Sequence, residues 1–325
     1  MSSWYSFNDQ MREIFGGKVY RLSLSAGCTC PNRDGTLARG GCIFCSAGGS
    51  GDFAAAASAN IPAQIEEAKR RVNGKIGKNT EFAGYMAYFQ SFTNTYGDTG
   101  YLVNLFEAAA AQPDVIALSI ATRPDCLKEE MVRHLAEINR RIPVFVELGL
   151  QTVHEETASY INRFYPLVVF KEAFRWLKSA GLRVVVHVMI GLPGENSGAT
   201  KETVSYLAEL EFQGAHIDGI KLALLYVLRG TKLADRLPDD WEELSCDPTE
   251  RPRHFILLRD GMKLPQYTLP EYAALIRELA DLLPPETALH RVTGDPPKRD
   301  LLLPTWTADK KRVLNTIRAE FDSQK

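Results

Sequence analysis

Four cysteines, Cys28, Cys30, Cys42 and Cys45, fall within 18 residues of a 325-residue chain that holds six in all. An even scatter would place roughly a third of one cysteine in such a window. Thiols clustered this way in a reducing compartment bind zinc or iron rather than pair as disulfides. On spacing alone two centres are open. All four cysteines can build a closed tetrahedral zinc site from a Cys-x-Cys and a Cys-x-x-Cys pair. Alternatively Cys30, Cys42 and Cys45, spaced C-x11-C-x2-C, hold a 4Fe-4S cluster and leave its fourth iron open to a ligand. Glycines at 35, 40, 41, 48, 49 and 51 let the loop wrap such a centre and turn backbone amides toward its sulfurs. Cys126 and Cys246 stand alone and read as small buried hydrophobes.

The loop must be carried by something. Short runs rich in Val, Ile, Leu and Tyr predict strands at Lys18–Ser25, Gly84–Gln90, Val115–Ala121, Val144–Leu150, Arg183–Ile190 and Gly219–Val227. Three- and four-residue apolar spacing predicts helices between them, over Tyr101–Ala111, Lys128–Arg140, Val169–Ala180 and Ala199–Phe212. This βα alternation argues for a parallel sheet, closed as a barrel or doubly wound. Such folds gather their chemistry at the C-terminal ends of the strands, which is where the cysteine loop leaves the first one. The Ala-rich Phe53–Ala59 reads as loop leading into a helix. Beyond Gly230 the stretch 235–270 reads as irregular. A helix from about Pro270 to Leu283, a short strand Ala288–Val292 and a last helix from Thr307 to about Phe321 complete the tail.

Apolar residues make up 45% of the chain and charged ones 24%, with no run approaching the roughly 20 apolar residues of a membrane span. The N-terminus carries no basic segment followed by an apolar run, so the expectation is a cytoplasmic protein with no membrane partner. A formal charge of -2 gives no global field for nucleic acid. Such a partner would need a local patch, for which Lys69, Arg70, Arg71, Lys75 and Lys78 or Lys298, Arg299, Lys310, Lys311 and Arg312 are the candidates. Runs of this kind are more often solvated helix faces. Glu147 and Glu195 lie in or just after central strands, where an ionised carboxylate needs a partner. Glu195 reads equally well as the cap of the next helix. His187 sits alone on an apolar strand, either as a satisfied core residue or facing a cofactor.

Several motifs together carry a resemblance. They are Thr29–Thr36 with Gly40–Cys45 and Gly49–Phe53, Tyr88–Tyr96, Thr122–Leu127, Glu147–Thr157, His187–Glu195, Leu224–Thr231 and His290–Asp295. In this order they resemble the radical S-adenosylmethionine (SAM) superfamily, in its bacterial YhcC/YtqA branch related to the Elongator catalytic subunit. The resemblance implies an open partial (β/α)6 barrel at 18–230, after a lead-in at 1–17, with a C-terminal α/β extension at 231–325 closing it. It implies a 4Fe-4S cluster on Cys30, Cys42 and Cys45, with Cys28 a neighbour rather than a ligand, and SAM as cosubstrate. Phe44 then packs near the adenine, Gln151 and Arg163 meet the ribose and the methionyl carboxylate, and Thr122, Arg123 and His187 lie close by. A guanidinium suits a carboxylate because its fork donates two parallel hydrogen bonds. After Asn162-Arg163 the family usually continues Gly-His; this chain has Phe164-Tyr165. Thr93, Asn94 and Thr95 are expected to meet substrate or cofactor, and His290, Arg291 and Asp295 to close the barrel over substrate. The implied activity is reductive cleavage of SAM to a deoxyadenosyl radical, with a flavodoxin- or ferredoxin-type electron donor and tRNA, at a wobble uridine, as the first substrate to expect. A radical reaction on a small molecule, and a non-enzymatic cluster or haem carrier on the same core, are the rival readings.

Overall fold

The computed structural model describes residues 4–46, 48–49, 58, 60–74, 76–77, 80–243 and 254–323. Cys246, Lys75, Lys78 and the Phe53–Ala59 run apart from Ser58 lie outside the described residues. The lead-in holds a helix that the sequence reading missed, α1 (Phe7–Phe15), closed at its start by a Ser6–Asp9 capping box. Next come β1 (Lys18–Leu24), a single-turn α2 (Pro31–Asp34) inside the cysteine loop, and α3 (Ile61–Asn73). The βα alternation then runs as expected. It comprises β2 (Phe82–Phe89), α4 (Thr99–Ala110), β3 (Val115–Thr122), α5 (Glu129–Asn139), β4 (Val144–Gln151), α6 (Glu155–Tyr160), α7 (Leu167–Ser179), β5 (Arg183–Ile190), α8 (Ser197–Glu209) and β6 (Gly219–Leu224). The last expected strand is shorter than read, because the chain turns away after Leu224 and forms a separate β7 (Val227–Leu228).

The tail is more ordered than its composition suggests. Inside the stretch read as irregular, β8 (Phe255–Leu257) and β9 (Lys263–Pro265) pair antiparallel. After them come α9 (Leu269–Asp281), β10 (Ala288–Arg291), β11 (Leu301–Leu303), which pairs with β7, and α10 (Lys310–Asp322). The final helix starts later than Thr307 because Asp309 caps it, its side chain accepting from the Arg312 amide.

The main sheet has the order β1-β2-β3-β4-β5-β6-β10 with every pair parallel. This is an α/β half-barrel of seven strands, not six. The seventh comes from the tail, Ala288 pairing with Gly219 and Leu289 with Ile220. A four-residue strand carries too little pattern to reveal its partner, but it covers a β6 edge that would otherwise present unpaired backbone groups. The carboxyl extension is therefore part of the barrel sheet. Gly219 permits this, since a Cβ there would lie 2.6 Å from the His290 ring.

Side chains alternate along each strand, so the inner face is built in layers. At the bottom, Val19, Met86, Ala117, Phe145 and Val185 form an apolar plug with Met11 of α1. Two residues further along the strands stand Arg21, Tyr88, Ser119, Glu147, His187 and, on β6, Lys221. The next layer is small or half-buried: Ser23, Gln90, Ala121, Gly149, Met189 and Ala223. An open space thus lies above a charged floor. The gap between the sheet edges is bridged by α1 and its lead, with Leu289 donating its amide to the Tyr5 carbonyl at 2.9 Å and Arg21 reaching His290 Nδ1 at 2.9 Å. Among the described residues no helix is long and apolar enough to cross a membrane.

Candidate cofactor site

The cysteine loop starts where β1 ends. Cys30 precedes the turn of α2, and the returning strand of the loop brings Cys42 and Cys45 into one tight turn, closed by a 3.0 Å bond from the Cys45 amide to the Cys42 carbonyl. Asn32 is fully buried and anchors the loop. Its side-chain amide donates to the Asn162 carbonyl at 2.7 Å and approaches Cys42 Sγ at 3.7 Å. Arg33 holds the far side by donating to the Ser46 carbonyl at 2.8 Å, and its guanidinium lies 5.1 Å from the Phe92 ring. Phe44, between the last two cysteines, is half-buried against the apolar cluster containing Ile43, Ile161 and Leu192.

The thiols differ in chemistry. Cys42 is drawn down to about 7 by a hydrogen bond from Cys45, against the cost of burial, with the Arg123 cation and Asn32 helping. Cys45, the donor in that pair, is pushed up. Cys30 lies within electrostatic reach of Cys45 and Arg123. Cys28 is raised to about 11 by burial alone and has no such link to the other three. A closed tetrathiolate zinc site needs four converging thiolates, each about 2.3 Å from the metal. Among the described residues no group of three or more metal-ligating side chains closes on one such point. Three soft donors on a glycine-rich loop, one readily ionised and flanked by a cation, suit a larger iron–sulfur cluster with one iron left open.

Around this loop the strand ends are held by interactions that reassign several expected contacts. Arg163 is 1% exposed, and its fork is occupied by main-chain carbonyls: Nε donates to Tyr165 at 3.0 Å, and one terminal nitrogen to Leu150 at 3.1 Å and Thr152 at 2.5 Å. The other terminal nitrogen meets Glu155 at 3.1 Å. Arg163 therefore fixes the loop after β4 rather than offering a free fork to a carboxylate. Thr122 is buried with its hydroxyl 2.6 Å from that of Thr95. Asn94 ties the ends of β2 and β3 by donating to the Ala121 carbonyl at 2.9 Å, and the Thr93 amide bonds to Thr29. These residues position the mouth instead of facing into it. Arg123 makes a two-point pair with Asp125, at 2.9 and 2.7 Å, and also donates to the Arg163 carbonyl at 2.9 Å.

Gln151 does face the interior. The register slips between Gly149 and Gln151, and Gln151 takes a left-handed φ of 68°, a bulge that re-aims its side chain. The amide folds back over Gly149, where a Cβ would lie 2.8 Å from Nε2. Glycine is thus required for this placement. Glu195 is buried, its carboxyl raised by desolvation and its Oε1 bonded to Thr152 at 2.6 Å. The cap of α8 is its neighbour Asn196, not Glu195.

His187 is not alone. Its Nε2 lies 2.8 Å from Glu147 Oε2, and the same carboxylate pairs with Lys221 and accepts from Ser119 at 2.8 Å. Lys221 also donates to Tyr88 at 3.2 Å. Lys221, the surrounding histidine and Arg21 hold Glu147 well below the usual carboxylate range despite complete burial. Burial drives His187 and His290 down, toward neutral imidazoles, with neighbouring cations adding to the effect. His290 belongs to this floor and bonds Gln10 at 2.7 Å, so it does not close over the mouth. Arg291 and Asp295 pair with each other at 3.1 Å, and Arg291, in register with Lys221, lies within electrostatic reach of Lys221 and His187. Arg21, Tyr88 and Lys221 were missed in the sequence. The two cations could have been found as charges between apolar neighbours, Tyr20-Arg21-Leu22 and Ile220-Lys221-Leu222, in phase with Glu147, whereas Tyr88 carries no such signal.

Comparison with known proteins converges on the same loop and barrel. The pattern of the radical SAM superfamily matches residues 30–207, and that of the radical SAM C-terminal domain matches 260–323. YtqA of Bacillus subtilis (strain 168) is 38% identical over 321 residues, covering 99% of this chain and 90% of its own. YhcC of Escherichia coli (strain K12) is 30% identical over 305 residues, covering 94% and 87%. The structure of Elp3 from the archaeon Methanocaldococcus infernus superposes with a TM-score of 0.59 at 17% identity, over 93% of this chain and 63% of that one.

Proposed function

The chain belongs to the radical SAM superfamily, whose enzymes work through a 4Fe-4S cluster and SAM, and from that membership we propose that it modifies tRNA at a wobble uridine. Held on this loop, a 4Fe-4S cluster would supply the electron for reductive cleavage of SAM, and with it the means to abstract hydrogen from a substrate. The observation that carries the site is the grouping of Cys30, Cys42 and Cys45 on one loop at the barrel mouth, electrostatically apart from Cys28. These three thiolates would hold the cluster. Asn32 and Arg33 fix the loop, with Arg123 and Asn32 favouring the Cys42 thiolate. Gln151 presents its amide to the interior for the hydroxyls of a ribose, and Phe44 flanks the same loop for the adenine. His187 lies below, oriented by Glu147. Arg163 and Thr122 keep the strand ends in register. The barrel wall excludes water and oxygen from the reacting centre.

The Elongator-like fold supports tRNA as the substrate, together with an open groove in the tail lined by Lys298, Arg299, Lys310 and Lys311. Arg299 pairs with Asp300 and Lys310 with Asp295, so the groove is a modest phosphate-binding surface. The second candidate patch is weaker, since Lys69 and Arg71 are paired with Glu66 and Glu67 on α3. An electron donor of flavodoxin or ferredoxin type completes the reaction. The test is nucleoside analysis of tRNA from a strain lacking the gene and from one carrying Cys30→Ala. A uridine derivative missing in both supports the reading; unaltered tRNA nucleosides in both refute it.

A further inference from the structure

The floor of the barrel carries more positive than negative charge. Glu147 is the one carboxylate among its facing groups, against Arg21 and Lys221. His187, His290, Tyr88 and Ser119 complete the layer as uncharged partners, and Arg291 adds a cation at the edge, paired with Asp295. Glu147 is saturated: Lys221, His187 and Ser119 all bond to it, and Arg21 stands 4.0 Å away. Arg21 is not saturated. It touches His290 through one terminal nitrogen and stacks 4.0 Å from the Phe7 ring, but its buried Nε has no hydrogen-bond partner. A buried excess cation with an unmet donor is costly unless an anion joins it. Beneath this layer the apolar plug and α1 close the barrel, and above it Ser23, Ala121, Gly149 and Ala223 leave room.

We propose that this floor, with Arg21 as its principal donor and Lys221 beside it, binds the anionic end of the substrate, a carboxylate or a phosphate, at the bottom of the reaction chamber. The proposal rests on reading the barrel interior as the place where substrate reacts. It gives the chamber a direction: the anion is held at the floor, below the level of Gln151 and the cysteine loop. A guanidinium donating two parallel bonds suits either oxyanion, and Lys221, which a bound anion would keep protonated, adds a compact charge.

The test uses inorganic phosphate and acetate as separate probes, with binding followed by titration calorimetry on the cluster-loaded protein. Saturable binding of phosphate alone identifies a phosphate-bearing substrate, and of acetate alone a carboxylate. In Arg21→Gln, which leaves Glu147 its Lys221 and His187 partners, affinity for that probe should fall by about tenfold or more, the loss of one charge-assisted hydrogen-bonding group. Cys30→Ala should retain anion binding, which separates failure of this site from failure of the radical chemistry. In crystals of the unaltered protein soaked in selenate, an anomalous peak against Arg21 and Lys221 supports the site whatever the variant's folding. Equal affinity in wild type and Arg21→Gln, no saturable binding of either probe, or selenate found only on the outer surface would overturn it.

Discussion

Cys28 and Cys30 are separated by one residue, yet burial alone acts on the first while the second lies among charges and other thiols. Removing each should therefore have opposite results. Cys30→Ala is expected to abolish incorporation of iron and sulfide on anaerobic reconstitution, whereas Cys28→Ala should keep nearly the full complement. Iron loss of equal size in both would restore a four-cysteine centre. Gln151→Ala should weaken SAM binding about tenfold, the cost of roughly one hydrogen bond to a buried polar group, without moving the unfolding midpoint by comparable energy. Equilibrium dialysis against labelled SAM measures the first and urea titration the second. At the floor, burial pushes Lys221 down to about 7, opposed by Glu147. An unfolded lysine titrates near ~10.4, so between about pH 7 and 10 the unfolded chain binds more protons than the folded one, and stability rises with pH across that window. In Lys221→Met this rise should vanish; parallel urea midpoints for the two proteins from pH 7 to 9.5 would refute it. Glu147 acts on the acid side: its stabilisation is present above the ordinary carboxyl range and is lost as pH falls through its depressed folded value.

Among the elements, α1 shows best why part of the structure was illegible. Its caps are local and readable, Ser6 with Asp9 at one end and Gly16 at φ 75° at the other. What it does is not local. It plugs the barrel through Met11 and bridges β1 to β10, an element more than 270 residues later. Met11→Ala should cost about 2–5 kcal/mol, as a buried methionine leaving a cavity does, read as a lowered urea midpoint. Little loss would mean that α1 only rests on the barrel. The first five strands were legible to within two residues because a parallel sheet covered on both faces demands near-continuous apolar runs, as in Val144-Phe145-Val146 and Arg183–Ile190, whereas the sixth ends three residues before its expected end. The cysteine loop was legible because ligand spacing is set in the local sequence. Arg163 and Thr122 were not, since a buried polar side chain can meet a ligand or its own backbone, and only tertiary contacts decide which.

At the scale of the whole molecule, the tail and the barrel are one construction. β10 forms the seventh strand and supplies His290 to the floor, so the carboxyl end contributes to the chamber whose mouth is built from residues 28–45. The charged layer needs seven strands to assemble, and no single segment announces it. Its members reveal themselves only when their registers are aligned. The central claim is that this assembly performs radical chemistry through Cys30, Cys42 and Cys45. The most direct measurement is deoxyadenosine formation from SAM by the anaerobically reconstituted, reduced protein, with and without bulk tRNA, beside Cys30→Ala. The predicted result is deoxyadenosine from the wild type and none from the variant. Absence of deoxyadenosine from cluster-loaded wild-type protein in the presence of tRNA, or equal amounts from Cys30→Ala, would contradict it.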